Sequence, residues 1–167
     1  QVPTLVVPND VIVDGRRLVG FLSEFRATRL MVTPSLLRNL LDQPGLDAAR
    51  FLGKRLRYVL LEGEVVPASL VADFGVAFKD STTRLVNYYS TWESLDVACE
   101  TLFDPSDPAA TAATLAPLRA RGARFAPVGS PLPGVAILVR DRATGALRPR
   151  GFPGDVFVVA ASIARGY

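Results

Sequence analysis

Residues 29–41 read Arg-Leu-Met-Val-Thr-Pro-Ser-Leu-Leu-Arg-Asn-Leu-Leu. Residues 29–32 have the short apolar composition of a buried strand. Thr33-Pro34 ends that strand and starts a helix, because proline is tolerated in a helix's first turn. Leu36, Leu37, Leu40 and Leu41 then recur at helical spacing as one apolar stripe, which Gln43-Pro44-Gly45 closes. A strand that passes at once into an amphipathic helix is the unit from which parallel sheets are built.

The same unit recurs on both sides. Upstream, residues 4–7 are a β-branched run ending at Pro8, a predicted strand. Asp14 then opens a helix whose stripe is Leu18, Phe21, Leu22 and Phe25. Downstream, residues 56–61 form a third strand, punctuated by Gly63. Pro67 starts a helix with Leu70, Val71, Phe74 and Phe78 on one face, and residues 84–88 form a fourth strand. The alternation predicts an α/β fold with a largely parallel sheet and flanking helices. Ligands of such sheets sit beyond the carboxyl ends of the strands. Those ends are Val32-Thr33, Leu61-Glu62-Gly63-Glu64 and Tyr88-Tyr89-Ser90.

The pattern changes after residue 100. Residues 104–126 are rich in Pro, Ala, Asp and Arg and suggest a surface excursion with room for one short helix. Residues 134–140 and 155–159 are strands separated by turn-rich sequence, the mark of antiparallel pairing. The predicted division is an α/β sheet part at 1–103, the excursion at 104–126, and the start of a β-rich subdomain at 127–167. No internal repeat occurs, and the chain ends at Arg165-Gly166-Tyr167 without a polar tail. We therefore expect a fragment of a larger domain, which would expose apolar faces and aggregate if isolated.

Composition narrows the chemistry. The 167 residues suffice for one domain or part of one. Apolar residues are 49% and charged residues 21%, and mean hydropathy is +0.27, which excludes a disordered chain. Histidine is absent, so this chain alone supplies no Ser-His-Asp triad, Cys-His pair or His-ligated metal. The single cysteine, Cys99, excludes an internal disulfide and a cysteine zinc cluster, and is read as a core residue. The longest apolar run, residues 156–164 with one serine, falls well short of the ~20 residues that span a bilayer. No signal-peptide pattern precedes it, so the expectation is a cytoplasmic protein without membrane partners. The net charge is +3. The basic residues, nearly all Arg, form no run and interleave with no aromatics, so nucleic acid is not an expected partner.

Three stretches are more specific. They are Leu61-Glu62-Gly63-Glu64, Asn87-Tyr88-Tyr89-Ser90-Thr91-Trp92-Glu93, and Gly151-Phe152-Pro153-Gly154-Asp155-Val156 with Ala164-Arg165-Gly166-Tyr167 behind it. In this order they resemble the Gly-Gly-Glu, Asn-x-Tyr-Gly-Pro-Thr-Glu, Gly-x-x-Gly-Glu-Leu and Ala-Arg-Gly-Tyr motifs of adenylate-forming enzymes. The Val-Thr-Pro-Ser-Leu-Leu stretch at 32–37 and Phe125-Ala126-Pro127-Val128-Gly129-Ser130-Pro131 match two further family segments. The resemblance covers nearly the whole chain. It is closest to the amino-acid adenylation domains of nonribosomal peptide synthetases and aminoadipate-reductase-like enzymes.

The resemblance implies roles. ATP and Mg²⁺ would be the cofactors. Tyr89 would stack on adenine and Asn87 would bond its edge. Gly63 and Glu64 would wall the nucleotide slot, with Ser90 and Thr91 beside the phosphates. Glu93 would be the catalytic acid that holds Mg²⁺. Met31, Leu60, Glu62, Tyr88, Asp96 and Val97 would line the acyl pocket. Two acids in an apolar pocket call for a partner, and a substrate amine is one. The implied partners are a small amino or carboxylic acid and a carrier domain bearing phosphopantetheine.

There are departures. Ser90-Thr91-Trp92 replaces Gly-Pro-Thr, Glu62 replaces the first Gly of Gly-Gly-Glu, and Asp155-Val156 replaces Glu-Leu. Trp92 lacks the hydroxyl that the family's Thr offers the phosphate. The sequence thus leaves rivals to an active adenylation unit: a degenerate nucleotide-binding scaffold, an acyl-CoA ligase of the same superfamily, or an unrelated α/β interaction domain.

Overall fold

In a computed structural model, residues 3–120 and 122–166 are described; Tyr167, which closes the Ala-Arg-Gly-Tyr motif, lies outside them. Residues 4–7 are not a strand. They run extended with no ladder partner, and Val6 is 85% exposed. Short β-branched composition does not make a strand where no neighbour supplies hydrogen bonds. A single helical turn, α1 (Asn9–Ile12), follows.

The Asp14 carboxylate accepts from the amides of Arg16 (2.9 Å) and Arg17 (3.2 Å), which caps α2 (Gly15–Glu24). At its other end Arg26 N donates to Ser23 O and Ala27 N to Leu22 O, the paired bonds of a Schellman stop. Arg26 sits there at φ 54°, a position that favours glycine. β1 (Arg29–Val32) leads into α3 (Pro34–Asp42), whose first turn is capped by Thr33 Oγ1 accepting from Leu36 N at 3.3 Å. No sequence pattern announces α4 (Ala48–Leu52), because five residues are too few to show a helical stripe. β2 (Tyr58–Leu61) and α5 (Ala68–Ala77) complete the second unit.

β3 (Arg84–Thr91) runs beyond residue 88, so Tyr89, Ser90 and Thr91 lie on the strand rather than after it. It turns back into β4 (Leu95–Phe103), which the sequence reading missed. Two register shifts interrupt the β3–β4 ladder, and each shift breaks the two-residue alternation by which a strand is recognised. Within residues 104–126 lies a full helix, α6 (Pro108–Ala120), with Pro117 inside it. β5 (Ser130–Pro131) adds an edge to the first sheet, and β6 (Ala136–Arg140) pairs antiparallel with β7 (Asp155–Val159) in a second sheet.

The five-stranded sheet has the order β1-β2-β3-β4-β5. Its first three strands are parallel and in register, Val32 beside Leu61 beside Asn87. Leu30, Val32, Val59, Leu61 and Leu85 point into one buried cluster with α2, α3, α4 and α5. Met31, Leu60 and Tyr88, at intervening positions, belong to the other face and stay at least partly exposed, whereas Val86 between them is buried. Burying each core leucine contributes roughly 1.5–3 kcal/mol, so this face fixes the register of the strands. Gly129 is also fixed: at φ +82°, a Cβ there would lie 1.9 Å from Cys99 O.

Two substitutions check these backbone readings in the intact protein. Arg26→Gly is expected to stabilise by about 0.5–1 kcal/mol in urea unfolding, since it relieves a left-handed arginine. Gly129→Ala is expected to destabilise by more than about 1 kcal/mol and to detach residues 127–131 from β4.

Candidate functional site

A cleft of about 770 Å³ opens at the carboxyl ends of the parallel strands. Thr33 borders it from the end of β1, and Glu62 and Gly63 from the end of β2. Ser90, Thr91 and Trp92 border it from β3 and its turn, with Leu95 and Asp96 from the start of β4. Another depression, beside Arg57, Tyr58 and Arg84, lies at the opposite, amino ends. A parallel sheet presents its loops and ligands at the carboxyl ends, which favours the first.

Strand alternation sorts the candidate residues by face. Leu60, Glu62, Tyr88 and Ser90 follow the open face; Asn87 and Tyr89 follow the helix-covered side. On the open face, Ser90 Oγ donates to Glu62 Oε1 at 2.5 Å. Asp96 stands opposite Ser90 in the β3–β4 register. Partial burial, and then the nearby Glu62 charge, raise the Asp96 carboxyl above the ordinary carboxylate range. Neither acid has a salt-bridge partner among the described residues. Burial, followed by Cys99 and Asp96, likewise raises the Tyr88 phenol.

On the other side, Asn87 is 4% exposed, and its Nδ2 donates to Pro127 O at 2.8 Å. That bond ties the 125–131 segment to β3 and commits one of the amide's two N–H groups. Tyr89 is half-buried beside it. The Glu64 carboxylate accepts from Ser35 N (3.1 Å) and Ser35 Oγ (2.8 Å). It therefore joins the loop after β2 to the amino end of α3, where a negative charge also suits the helix dipole. Gly63, at φ +82°, makes the turn that allows this.

The structure thus brings Met31, Glu62, Gly63, Ser90, Thr91 and Asp96 to one cleft. Leu60 and Tyr88 share its face but lie one alternation further back on their strands. Val97 does not reach the cleft. The register passes from Tyr89↔Ala98 to Ser90↔Asp96, which leaves Val97 as a bulged residue, fully buried, with its carbonyl accepting from Leu132 N. Glu93 sits on the exposed β3–β4 turn, and its carbonyl accepts from Ala164 N at 2.6 Å. Among the described residues no group of three or more acidic, histidine or cysteine side chains forms a ready metal cage.

Sequence reasoning did not place Leu95 or Trp92 in the cleft. Leu95 adopts φ 58°, a strained conformation for a bulky residue that no sequence signal announces. Trp92 is 94% exposed at the cleft's mouth, and the signal for it was a lone large aromatic among hydroxyl residues.

Comparison with known proteins agrees with this geometry. The profile of a family described as "AMP-binding enzyme" matches residues 3–167. The chain is 30% identical to the beta-alanyl-bioamine nonribosomal peptide synthetase ebony of Drosophila melanogaster, over 98% of this chain and 18% of that protein. It is 32% identical to the probable non-canonical nonribosomal peptide synthetase CymA of Salinispora arenicola, over 98% of this chain and 2% of that one. Its fold matches the crystal structure of IdnL1 with a TM-score of 0.76 and 25% identity, over 96% of this chain and 29% of the other. The chain therefore spans less than a third of each of these relatives. Among the described residues no helix is long and apolar enough to cross a membrane.

The raised Asp96 carboxyl has a consequence for stability. The folded state holds that proton more tightly than the unfolded chain does. Asp96 therefore costs nothing below the unfolded carboxylate range, and its cost grows as pH rises to the folded value. Asp96→Asn is expected to raise the melting temperature at neutral pH and to leave it unchanged in acid, as calorimetry across pH would read.

Proposed function

This chain belongs to the AMP-binding enzyme family, and from that membership we propose that it forms the centre of an adenylation unit's large domain. The unit activates an amino or carboxylic acid with ATP. A carboxylate oxygen of the acid attacks the α-phosphorus, the bond to the β-phosphate oxygen breaks, and acyl-adenylate and pyrophosphate result. The acyl group then passes to the phosphopantetheine thiol of a carrier domain. The observation that carries this reading is the cleft itself. It lies at the strand ends where the family's motifs fall, with polar donors on the β3 strand and a glycine turn facing them.

Two anions must meet in such a reaction, so oriented donors and cations dominate catalysis. Tyr89 and Asn87 serve adenine from the helix-covered side. For Asn87 the amide oxygen and one N–H remain for that purpose, because the other N–H is held by Pro127. Thr91 offers a hydroxyl toward the phosphates, and Ser90 would join it only by giving up its bond to Glu62. Mg²⁺ takes one or two carboxylates together with phosphate oxygens rather than a protein cage, a pattern that a single acid at the turn fits. Glu93 would hold it there, and the bound ion would neutralise phosphate charge.

Glu62 and Asp96 give the substrate class. Two partly buried carboxylates without a cation are unfavourable until a positive group arrives. We assign them to the amine of an amino-acid substrate, placed away from the α-carbon. The similarity to a beta-alanyl synthetase supports that assignment, since β-alanine carries its amine on the β-carbon. A second reading has its own observation. Trp92 stands where the family has a hydroxyl residue, which favours a nucleotide-binding scaffold that has lost catalysis.

Acid-dependent ATP–pyrophosphate exchange on the intact protein tests both, across α-, β- and ω-amino acids and plain carboxylic acids. Exchange with a β- or ω-amino acid is expected, reduced at least ~10-fold in Tyr89→Ala and Glu93→Ala. Glu62→Gln should raise KM for that acid more than it lowers kcat. Exchange only with plain carboxylic acids, followed by transfer to free coenzyme A, would make it an acyl-CoA ligase instead. A folded protein that binds ATP and exchanges with no acid would be the scaffold.

A further inference from the structure

The turn from β3 to β4 carries Thr91 and Trp92 to the mouth of the cleft, with Trp92 and the next residue, Glu93, exposed. Inside the turn, Ser94 N donates to Thr91 O at 3.3 Å, and Thr91 Oγ1 lies 2.8 Å from Ser94 Oγ. These bonds must hold Leu95 at φ 58°. A leucine is strained there and persists only where its surroundings over-determine it. The over-determination comes from the segment after β7. Ser162 Oγ donates to Ser94 O at 2.9 Å, and Ala164 N donates to Glu93 O at 2.6 Å. Two consecutive carbonyls of the turn are thus clamped by residues about seventy positions away in sequence.

The geometry points to Ser162 as a positioning residue for nucleotide use: its hydroxyl latches the β3–β4 turn and so fixes how Thr91 borders the cleft and in which direction Glu93 projects from the turn. Ser162 is exposed and its side chain makes no other hydrogen bond among the described residues, so its removal leaves the core intact. Without it, Ser94 O is released and Leu95 can relax toward negative φ. That motion turns the residues just before it, because a change at one α-carbon redirects the whole turn. Glu62 follows directly on β2 and Asp96 lies on β4, neither at a clamped carbonyl, so the acyl side of the cleft is left in place. The inference rests on the reading that this turn meets the nucleotide.

Two measurements on the intact protein test it, with Ser162→Ala and the hydroxyl-keeping Ser162→Thr. Hydrogen–deuterium exchange compares a peptide covering residues 88–98 with one covering 58–66. Pyrophosphate exchange gives separate KM values for MgATP and for the acid. Ser162→Ala is expected to speed exchange in the 88–98 peptide about fivefold, the effect of losing one ordinary hydrogen bond, with 58–66 unchanged. It should raise KM for MgATP by a similar factor, with the acid's KM unchanged, and Ser162→Thr should restore both. Unchanged exchange in the 88–98 peptide overturns the latch. So does a uniform rise across both peptides, which marks a merely structural role, or an equal rise in both KM values. If the wild type exchanges no pyrophosphate, the adenylation reading fails. The latch then stands or falls on the peptide comparison and on calorimetric MgATP affinity.

Discussion

Everything at the site follows from the burial of one face of the parallel strands. Leu30, Val32, Val59, Leu61 and Leu85 are committed to the helices, and side chains alternate along a strand. The residues between them therefore have no choice of face. A one-residue slip would expose the whole core face at once, so the register is strongly specified. The same constraint extends past the core to the strand ends. It sends Glu62 and Ser90 to the open face, where they bond each other, and leaves Asn87 and Tyr89 on the other. Neighbouring residues of one motif, Tyr88 and Tyr89, are thereby given to different surroundings. A nucleotide and an acyl group could approach opposite sides of the same strand end with no special backbone arrangement.

The loops then lock the strand ends to one another. Glu64 reaches from the turn after β2 to the first turn of α3, and Asn87 reaches from β3 to Pro127. Each is a polar side chain at a motif position, and each is held by the protein itself. Thr33 caps α3 at the cleft's edge. Residues that a resemblance assigns to a ligand here also brace the walls that a ligand would touch. Fixed walls are what a reaction between two anions requires, because donors that need no reorganisation stabilise developing charge best.

Where local chemistry decides the conformation, the sequence could be read. Asp14 and Thr33 cap the helices they were expected to open, and the stripes through Leu37 and Leu40, and through Leu70 and Phe74, are buried. Residues 29–32 and 155–159 are strands as read. Readings failed where pairing decides. Residues 4–7 have strand composition but no neighbour to bond. β4 has neighbours on both sides, but two register shifts hide its alternation, and one of them turns Val97 away from the cleft. The left-handed Leu95 is invisible for a different reason. The turn before it is held in part by contacts from the segment after β7, which lie far from it in the chain.

Glu62 and Asp96 are the point where folding and chemistry oppose each other. The fold places two carboxylates in one partly buried cleft with no cation among the described residues, and raises the Asp96 carboxyl in doing so. An arginine nearby would relieve this, and the chain is rich in arginine, yet the arginines that make ion pairs make them elsewhere, with Asp73 or Asp104 for example. The same desolvation that makes the empty pair costly would strengthen its attraction for an arriving ammonium group, since charges interact more strongly where water is thin. A neutral acid would gain nothing from the pair and would have to displace its water. On the proposed function the pair would act as a filter on substrates before any chemistry begins, and its stability cost would be the physical form of that selectivity.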